Sequence, residues 1–446
     1  MEHRSLYSSR KPWKAISMSE SSPSITEQLE EYFDRLWPIC RSITGNGLRE
    51  SLKILSEIAP MEISEIPSGT DVFDWSVPRE WNISDAYIIA PDGSKLADFK
   101  KNNLHVVNYS IPIHQEMSWE ELKGHLHSIP EMPDAIPYIT TYYKENWGFC
   151  VAHNDLKSWP KEGIYKVVID SRLEPGSLTY GQAVLPGSSS EEVLFSTYVC
   201  HPSMANNELS GPLAAAFIYK ALEAMPHRKY TYRFLFAPET IGVIAFLHQH
   251  GERLISDLRA GYVLTCCGDA GAFTYKRSKH RHSLADRAVE HILTREKIDH
   301  RILEFSVGGS DERQYCSPGF NLPVGSLMRT PYQQYKEYHT SLDDKSFISF
   351  HALAETVKVY TQVVELLELN ERYVNRVAQC EPQLGKRGLY PSSVDPLFNR
   401  EETHRLLHFL SFADGEHDLI DIANLRNESA LRYASIIRDC QNVNLI

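Results

Sequence analysis

No Cys-x-x-Cys occurs in this sequence, and its eight cysteines, at 40, 150, 200, 266, 267, 316, 380 and 440, form no pairing pattern. Most lie in apolar stretches, so they read as buried free thiols of a reducing compartment rather than as a disulfide framework. No apolar run approaches the roughly 18 residues that a membrane span needs. The N-terminal stretch MEHRSLYSSRKPWKAISMSESSPS has no apolar signal-peptide core. The reading is a disordered leader, and the expected location is the cytoplasm, with no membrane partner. Excess basic charge is also missing: the formal net charge is -12, which argues against a general nucleic-acid binder. There are no internal repeats and no low-complexity region.

What is present is a chain of 446 residues, 42% hydrophobic and 23% charged. That length calls for two or three domains. Ser24 and Glu27 make a capping box for a helix in ITEQLEEYFDRLWPIC, and the turn Gly45-Asn46-Gly47 leads to a second helix. Short β-rich runs follow: VFDWSV, DAYIIAPDG, LHVVNYS and IPYITTYY. From about 190 strands alternate with helices, which predicts a mainly parallel mixed sheet flanked by helices. After 380, EPQLGKRGLYPSSVDP reads as a linker to three short helices and a terminal apolar strand, NVNLI. The expected division is a leader over 1–24, a core over 25–65 and 140–380, an inserted β-rich domain over 66–139, and a winged-helix-like domain over 385–446.

Ligands of such sheets sit at the C-terminal strand ends. There the sequence places His201, followed by Asn207 and Glu208; Glu239 in LFAPETIG; Asp269 in TCCGDAG; and Tyr338-His339-Thr340 in KEYHTSLDD. Asp311 and Arg313, in VGGSDERQY, lie between the last two. Two histidines and one or two carboxylates from separate strand ends suit zinc, which lowers the pKa of its water towards roughly 7. A glutamate that is not a ligand then serves as general base, and Glu239 is the candidate. Each residue alone has an ordinary structural reading, and with 19 histidines in the chain single ones mean little. The signal is the order of all four.

That order resembles the zinc aminopeptidase superfamily, which includes leucyl-type aminopeptidases, glutamate carboxypeptidase and glutaminyl cyclase. Over about 190–370, His201 matches its first ligand histidine, Ala205-Asn206-Asn207-Glu208-Leu209-Ser210-Gly211 its A-x-D-N-x-S-G loop, and Tyr338-His339-Thr340-Ser341-Leu342-Asp343 its last motif. RSITGNGLRE, VPREWNISDAYI, NLHVVNYSIP, WGFC, CHPSMANNELSGP, FAPETIG and YHTSLDD further resemble a bacterial aminopeptidase-like family. That family combines a zinc-peptidase-type core, an inserted β-domain and a C-terminal winged helix. Two departures stand out: Asn207 replaces the metal-bridging aspartate, and Thr240 replaces the second of a glutamate pair. The resemblance to glutaminyl cyclases implies a mononuclear zinc site on His201, His339 and Asp269. Glu208 is a possible substitute for the lost aspartate, and Cys266 has an equal claim to the Asp269 position.

The expected function is metal-dependent hydrolysis of an amide bond at an N-terminal or aminoacyl group, with one zinc per chain. The partner is a small peptide or an aminoacylated small molecule, and Asp311, Arg313 and Tyr338 are the candidate substrate-binding residues. Two alternatives stay open: a glutaminyl-cyclase-like acyl transfer, and a non-catalytic binding or scaffold protein on the same fold. A two-fold homodimer is the default assembly.

Overall fold

The protein is seen in a computed structural model that describes residues 23–389 and 400–446. Most of the expected leader and part of the expected linker lie outside the described residues. Eight strands form the main sheet, in the order Glu62–Pro67, Ser177–Leu185, Thr231–Ala237, Glu192–Tyr198, Leu258–Leu264, Val324–Met328, Phe273–Lys276, His300–Leu303. The four central strands run parallel. The first two strands of that order join their neighbours antiparallel, and Phe273–Lys276 runs antiparallel to Val324–Met328 but parallel to His300–Leu303. Apart from exposed Arg259 the central strands are buried throughout, which explains why they read as nearly continuous apolar runs rather than alternating ones.

Helices cover both faces. Ser210–Glu223, Leu284–Arg295 and Phe350–Leu369 pack on one side with the two N-terminal helices, Ile25–Leu36 and Asn46–Leu55. Ile241–Asp257 packs on the other, where the core continues into the insert. Ser24 accepts from the Glu27 N–H and the Glu27 carboxylate accepts from Ser24 N–H, as the capping box predicts.

The insert is larger than its sequence suggested. Its sheet has the order Lys95–Leu96, Glu80–Ile89, Ile164–Glu174, Ile113–Ser118. Ile164–Glu174 pairs antiparallel with Glu80–Ile89 from Glu80↔Glu174 to Ile89↔Lys166, so the chain returns to the main sheet only at Ser177. Placing that return at 140 was too early, because strand periodicity does not say which sheet a strand joins.

At the C-terminus, Arg400–Phe412, Leu419–Leu425 and Ala434–Asn442 form the expected three helices. NVNLI is not a strand. Leu445 N–H donates to Cys440 O, closing the last helix, and Arg376 N–H donates to Leu445 O. The module is bolted to the core through Leu284–Arg295. Arg287 forks onto Asp418 at 2.6 and 2.7 Å. His291 Nδ1 lies 3.0 Å from Asn424 Oδ1, and its Nε2 accepts the Ala430 N–H at 2.9 Å.

An acceptor Nε2 requires a neutral imidazole. Burial pushes the His291 pKa from 6.5 to about 4; the Asn424 hydrogen bond opposes this. The stabilisation is therefore complete above the unfolded value and is lost as pH falls through the folded one. Between about pH 6.5 and 4 it is worth roughly 3 kcal/mol. His291→Asn should flatten this acid limb of a chemical-denaturation series, and an unchanged limb would remove His291 as its cause.

Candidate active site

The ends of the parallel strands converge on one cleft. After Glu192–Tyr198 the chain delivers His201, and a buried single turn, Ala205–Leu209, carries Asn206, Asn207 and Glu208 into helix Ser210–Glu223. This turn is held from several directions. Asp343 accepts Asn206 N–H at 2.7 Å and Asn207 N–H at 2.9 Å. Ser210 Oγ accepts Cys267 N–H at 2.8 Å. A Cβ on Gly211 would lie 2.4 Å from Leu264 O, so only glycine lets the helix start that close to the strand. The A-x-x-x-x-S-G pattern is thus first a packing requirement.

His201 and His339 face each other with ring centroids 5.4 Å apart. Glu239 Oε2 stands 3.6 Å from His201 Nε2. Glu239 is seated by its own N–H, which donates to Cys200 Sγ at 3.3 Å. The next residue, Thr240, has φ of 64°, a left-handed conformation that β-branched residues rarely adopt. It is pinned by Asp311 Oδ1, which accepts Thr240 N–H at 2.7 Å, and by Arg313, whose Nη2 donates to Thr240 Oγ1 at 3.1 Å.

Burial raises the Glu239 pKa, while the charges of His201 and Arg313 pull it down. Burial opposes protonation of His201, yet its bond to Glu208 and the charges of Glu208 and Glu239 leave its pKa raised. His339 is pushed down to about 3 by burial and then by His201, so it presents a neutral imidazole, the form that ligates metals. Burial lifts Asp343 to about 7 against its backbone hydrogen bonds.

Two expected ligands are engaged elsewhere. Asp269 Oδ2 accepts from Asn206 Nδ2 and Thr330 N at 3.0 Å each, and Oδ1 accepts from Thr330 Oγ1 and Gly271 N at 2.7 Å each. Four donors leave this carboxylate tying two loops together. Glu208 accepts Cys200 N–H through one oxygen, and the other lies 2.9 Å from His201 Nδ1, so both its oxygens are engaged behind the histidine. Cys266, the other claimant, lies 3.9 Å from Asn207 Nδ2 and 3.8 Å from Tyr335 OH. Asp311 is fully buried and acts on the Thr240 backbone, which places it beneath the cleft and out of reach of a substrate. Tyr338 stacks flat on His339 at 3.9 Å.

Sequence reasoning did not single out Tyr138, the residue through which the insert reaches the two histidines. Residues 136–138 run across the cleft and pair with the 339–341 loop: Tyr138 N–H donates to His339 O at 2.8 Å, and Ser341 N–H to Ile136 O at 2.9 Å. Tyr138 therefore packs against both histidines, 5.0 Å from His201 and 5.2 Å from His339. Its hydroxyl lies 3.0 Å from that of Tyr142. The cluster IPYITTYY carried the aromatic signal, but its β-rich texture pointed only to a strand. A separate cavity of about 790 Å³ lies between residues 38–50 and the insert, and neither His201, Glu239 nor His339 lines it.

Residues 30–370 match the family described as domain of unknown function DUF4910, and residues 371–446 match a winged helix-turn-helix. The chain belongs to the DUF4910 family. A Clostridium acetobutylicum protein named as a polysaccharide biosynthesis protein with aminopeptidase-like domain is 47% identical over 405 residues, covering 91% of this chain and 92% of that one. A crystal structure of a Clostridium acetobutylicum protein named as a peptidase superposes with a TM-score of 0.88 at 44% identity, over 94% of this chain and 96% of the other. More distantly, the zinc aminopeptidase BSAP of Bacillus subtilis shares the fold, with a TM-score of 0.56 at 10% identity over 77% and 94% of the two chains. The fold is thus aminopeptidase-like, with a C-terminal winged helix. Among the described residues, no helix is long and apolar enough to cross a membrane.

The donor chemistry tests whether zinc suits this centre. With Zn–N near 2.0–2.1 Å and tetrahedral angles, two imidazoles on one ion have centroids roughly 5 Å apart. The observed 5.4 Å meets that. Asn207 Oδ1 is buried with no hydrogen-bond partner among the described residues, a further neutral oxygen in the turn that follows His201. Neither Asn207 nor Thr240 offers a carboxylate to a second ion.

Proposed function

We propose that the chain is an aminopeptidase-like hydrolase that cleaves an amide bond at an N-terminal or aminoacyl group of a small substrate. His201 Nε2 and His339 would hold one zinc, and Glu239 acts as general base. The reading rests on the 3.6 Å approach of Glu239 to His201 Nε2 opposite His339. A zinc ion there supplies a water of lowered pKa and polarises the scissile carbonyl. Glu239, made more basic by burial, takes the proton of the attacking water and returns it to the leaving amine. Tyr138 and Tyr338 wall the two imidazoles and keep bulk water from them. Arg313 is half-buried beside Glu239 and offers the remaining donors of its guanidinium to a carboxylate or hydroxyl of the substrate. The buried thiols accord with a cytoplasmic home.

The test is turnover of a panel of aminoacyl amides with fluorogenic leaving groups by zinc-loaded protein. Release of the free amine supports hydrolysis. A product lighter than the hydrolysis product by one water is the mark of cyclisation. The replacement of two ligand carboxylates by Asn207 and Thr240 favours a second reading, a binding protein on the same fold. Zinc-loaded protein that turns over no member of the panel would support it.

A further inference from the structure

Among the described residues, Cys200, His201 and Glu208 are the one group of three metal-type side chains whose ligand atoms all lie within 4.8 Å of one another. All three are buried. By donor type it looks like a small metal site. Its surroundings say otherwise. Arg41, also fully buried, lies with Nε 3.8 Å from Glu208 Oε1. A metal cation placed against that guanidinium would meet a repulsion of about 4 kcal/mol per unit charge at 4 Å in a protein-like dielectric. The cluster already holds its cation.

We propose that Arg41, Glu208 and His201 form a buried positioning relay that sets the orientation and tautomer of His201, and that the N-terminal strap Arg41–Gly47 exists to deliver its far end. Glu208 Oε2 lies 2.9 Å from His201 Nδ1, and Oε1 accepts Cys200 N–H at 2.5 Å. A carboxylate beside a guanidinium is an acceptor, so the proton of His201 sits on Nδ1. Nε2 is the nitrogen that faces Glu239, 3.6 Å away. Arg41 grips the same residue a second time, because its Nε donates to His201 O at 3.0 Å. Its Nη1 donates to Leu36 O at 2.7 Å, while Nη2 has no partner among the described residues. A buried guanidinium with one nitrogen unsatisfied costs stability, so it is a poor choice for holding a fold together.

The strap is built to place it. Gly45 has φ of 95°, and a Cβ there would lie 2.1 Å from Trp81 O; a Cβ on Gly47 would lie 1.9 Å from Cys40 O. Thr44 Oγ1 accepts Trp81 N–H, Ser42 Oγ donates to Asn108 Oδ1, and Asn108 Nδ2 donates to Arg41 O. Core and insert therefore clamp Arg41 between them, which gives RSITGNG a task that no strand or helix signal explains.

The relay rests on the proposed hydrolase only where zinc affinity is the readout; the tautomer readout stands without it. In metal-free, histidine-labelled protein held at a pH high enough to keep the ring neutral, long-range ¹⁵N–¹H correlation should show His201 as the Nδ1–H tautomer, its signal assigned by its loss in His201→Gln. Glu208→Gln and Arg41→Met should each weaken zinc binding, measured by competition with a chromophoric chelator, by about 10- to 100-fold. The melting temperature of Glu208→Gln should stay near that of the unchanged protein. Arg41→Lys, which keeps the charge but not the fork, should recover part of the Arg41→Met loss. It also serves if Arg41→Met does not fold. An Nε2–H tautomer in the unchanged protein, or zinc affinity indifferent to Glu208→Gln, overturns the relay. If the unchanged protein binds no zinc, the hydrolase proposal falls and the tautomer alone decides this one.

Discussion

Glu239→Gln is expected to lower turnover of any responsive aminoacyl amide by about 10²- to 10⁴-fold, the span a positioned general base contributes. The substitution is isosteric, and Glu239 is seated by its backbone, through the bond of its N–H to Cys200 Sγ. The strained Thr240 beside it is held by Asp311 and Arg313 through hydrogen bonds that do not involve the Glu239 carboxylate. Fold and zinc content should therefore be preserved while the proton acceptor is lost. Parallel measurement of metal content and melting temperature separates the possible roles. A fall in turnover with zinc retained identifies a base. A fall with zinc lost makes Glu239 a ligand. Unchanged turnover leaves Glu239 as an ordinary residue at the start of a helix, and the hydrolytic mechanism fails with it.

The strand ends were legible because burial and topology act locally. A fully apolar run that stops at a histidine or glutamate marks a central strand and the end that carries polar side chains, as with His201 and Glu239. His339 was found because its motif repeats a known order. What failed was the question of which carboxylates are free. Asp269 looks like a strand-end ligand until Asn206 and Thr330 are seen to occupy both its oxygens. Glu208 looks like a substitute aspartate until Arg41 and His201 close on it. In each case the deciding partner is remote in sequence, and no spacing rule reports it. The insert was misjudged for a related reason. Ile164–Glu174 has the pattern of a strand on either side of the boundary, and only its register with Glu80–Ile89 assigns it. Tyr138 reaches the cleft by pairing with the 339–341 loop, a contact between segments some two hundred residues apart that was invisible along the chain.

Metal content separates the two ligand sets most sharply. The unchanged protein, loaded with zinc and washed at neutral pH, is expected to retain no more than one ion per chain by elemental mass spectrometry. Two closely spaced cations need an anionic bridge, and Asn207 provides a neutral amide already donating through Nδ2 to Tyr198 at 2.9 Å. His339→Ala should empty the centre, since it removes one of the two imidazoles that would hold the ion. Asp269→Asn should act quite differently. Its carboxylate gathers four hydrogen bonds from Asn206, Gly271 and Thr330, so the loss falls on the loops. Zinc content should stay where it was, while stability drops by about 1–3 kcal/mol as a donor is left unmatched. If Asp269→Asn instead released the zinc with its melting temperature intact, Asp269 would be the third ligand that the motif order implied. If the unchanged protein held two ions, the oxygen of Asn207, buried and without a partner here, would have to be bridging them.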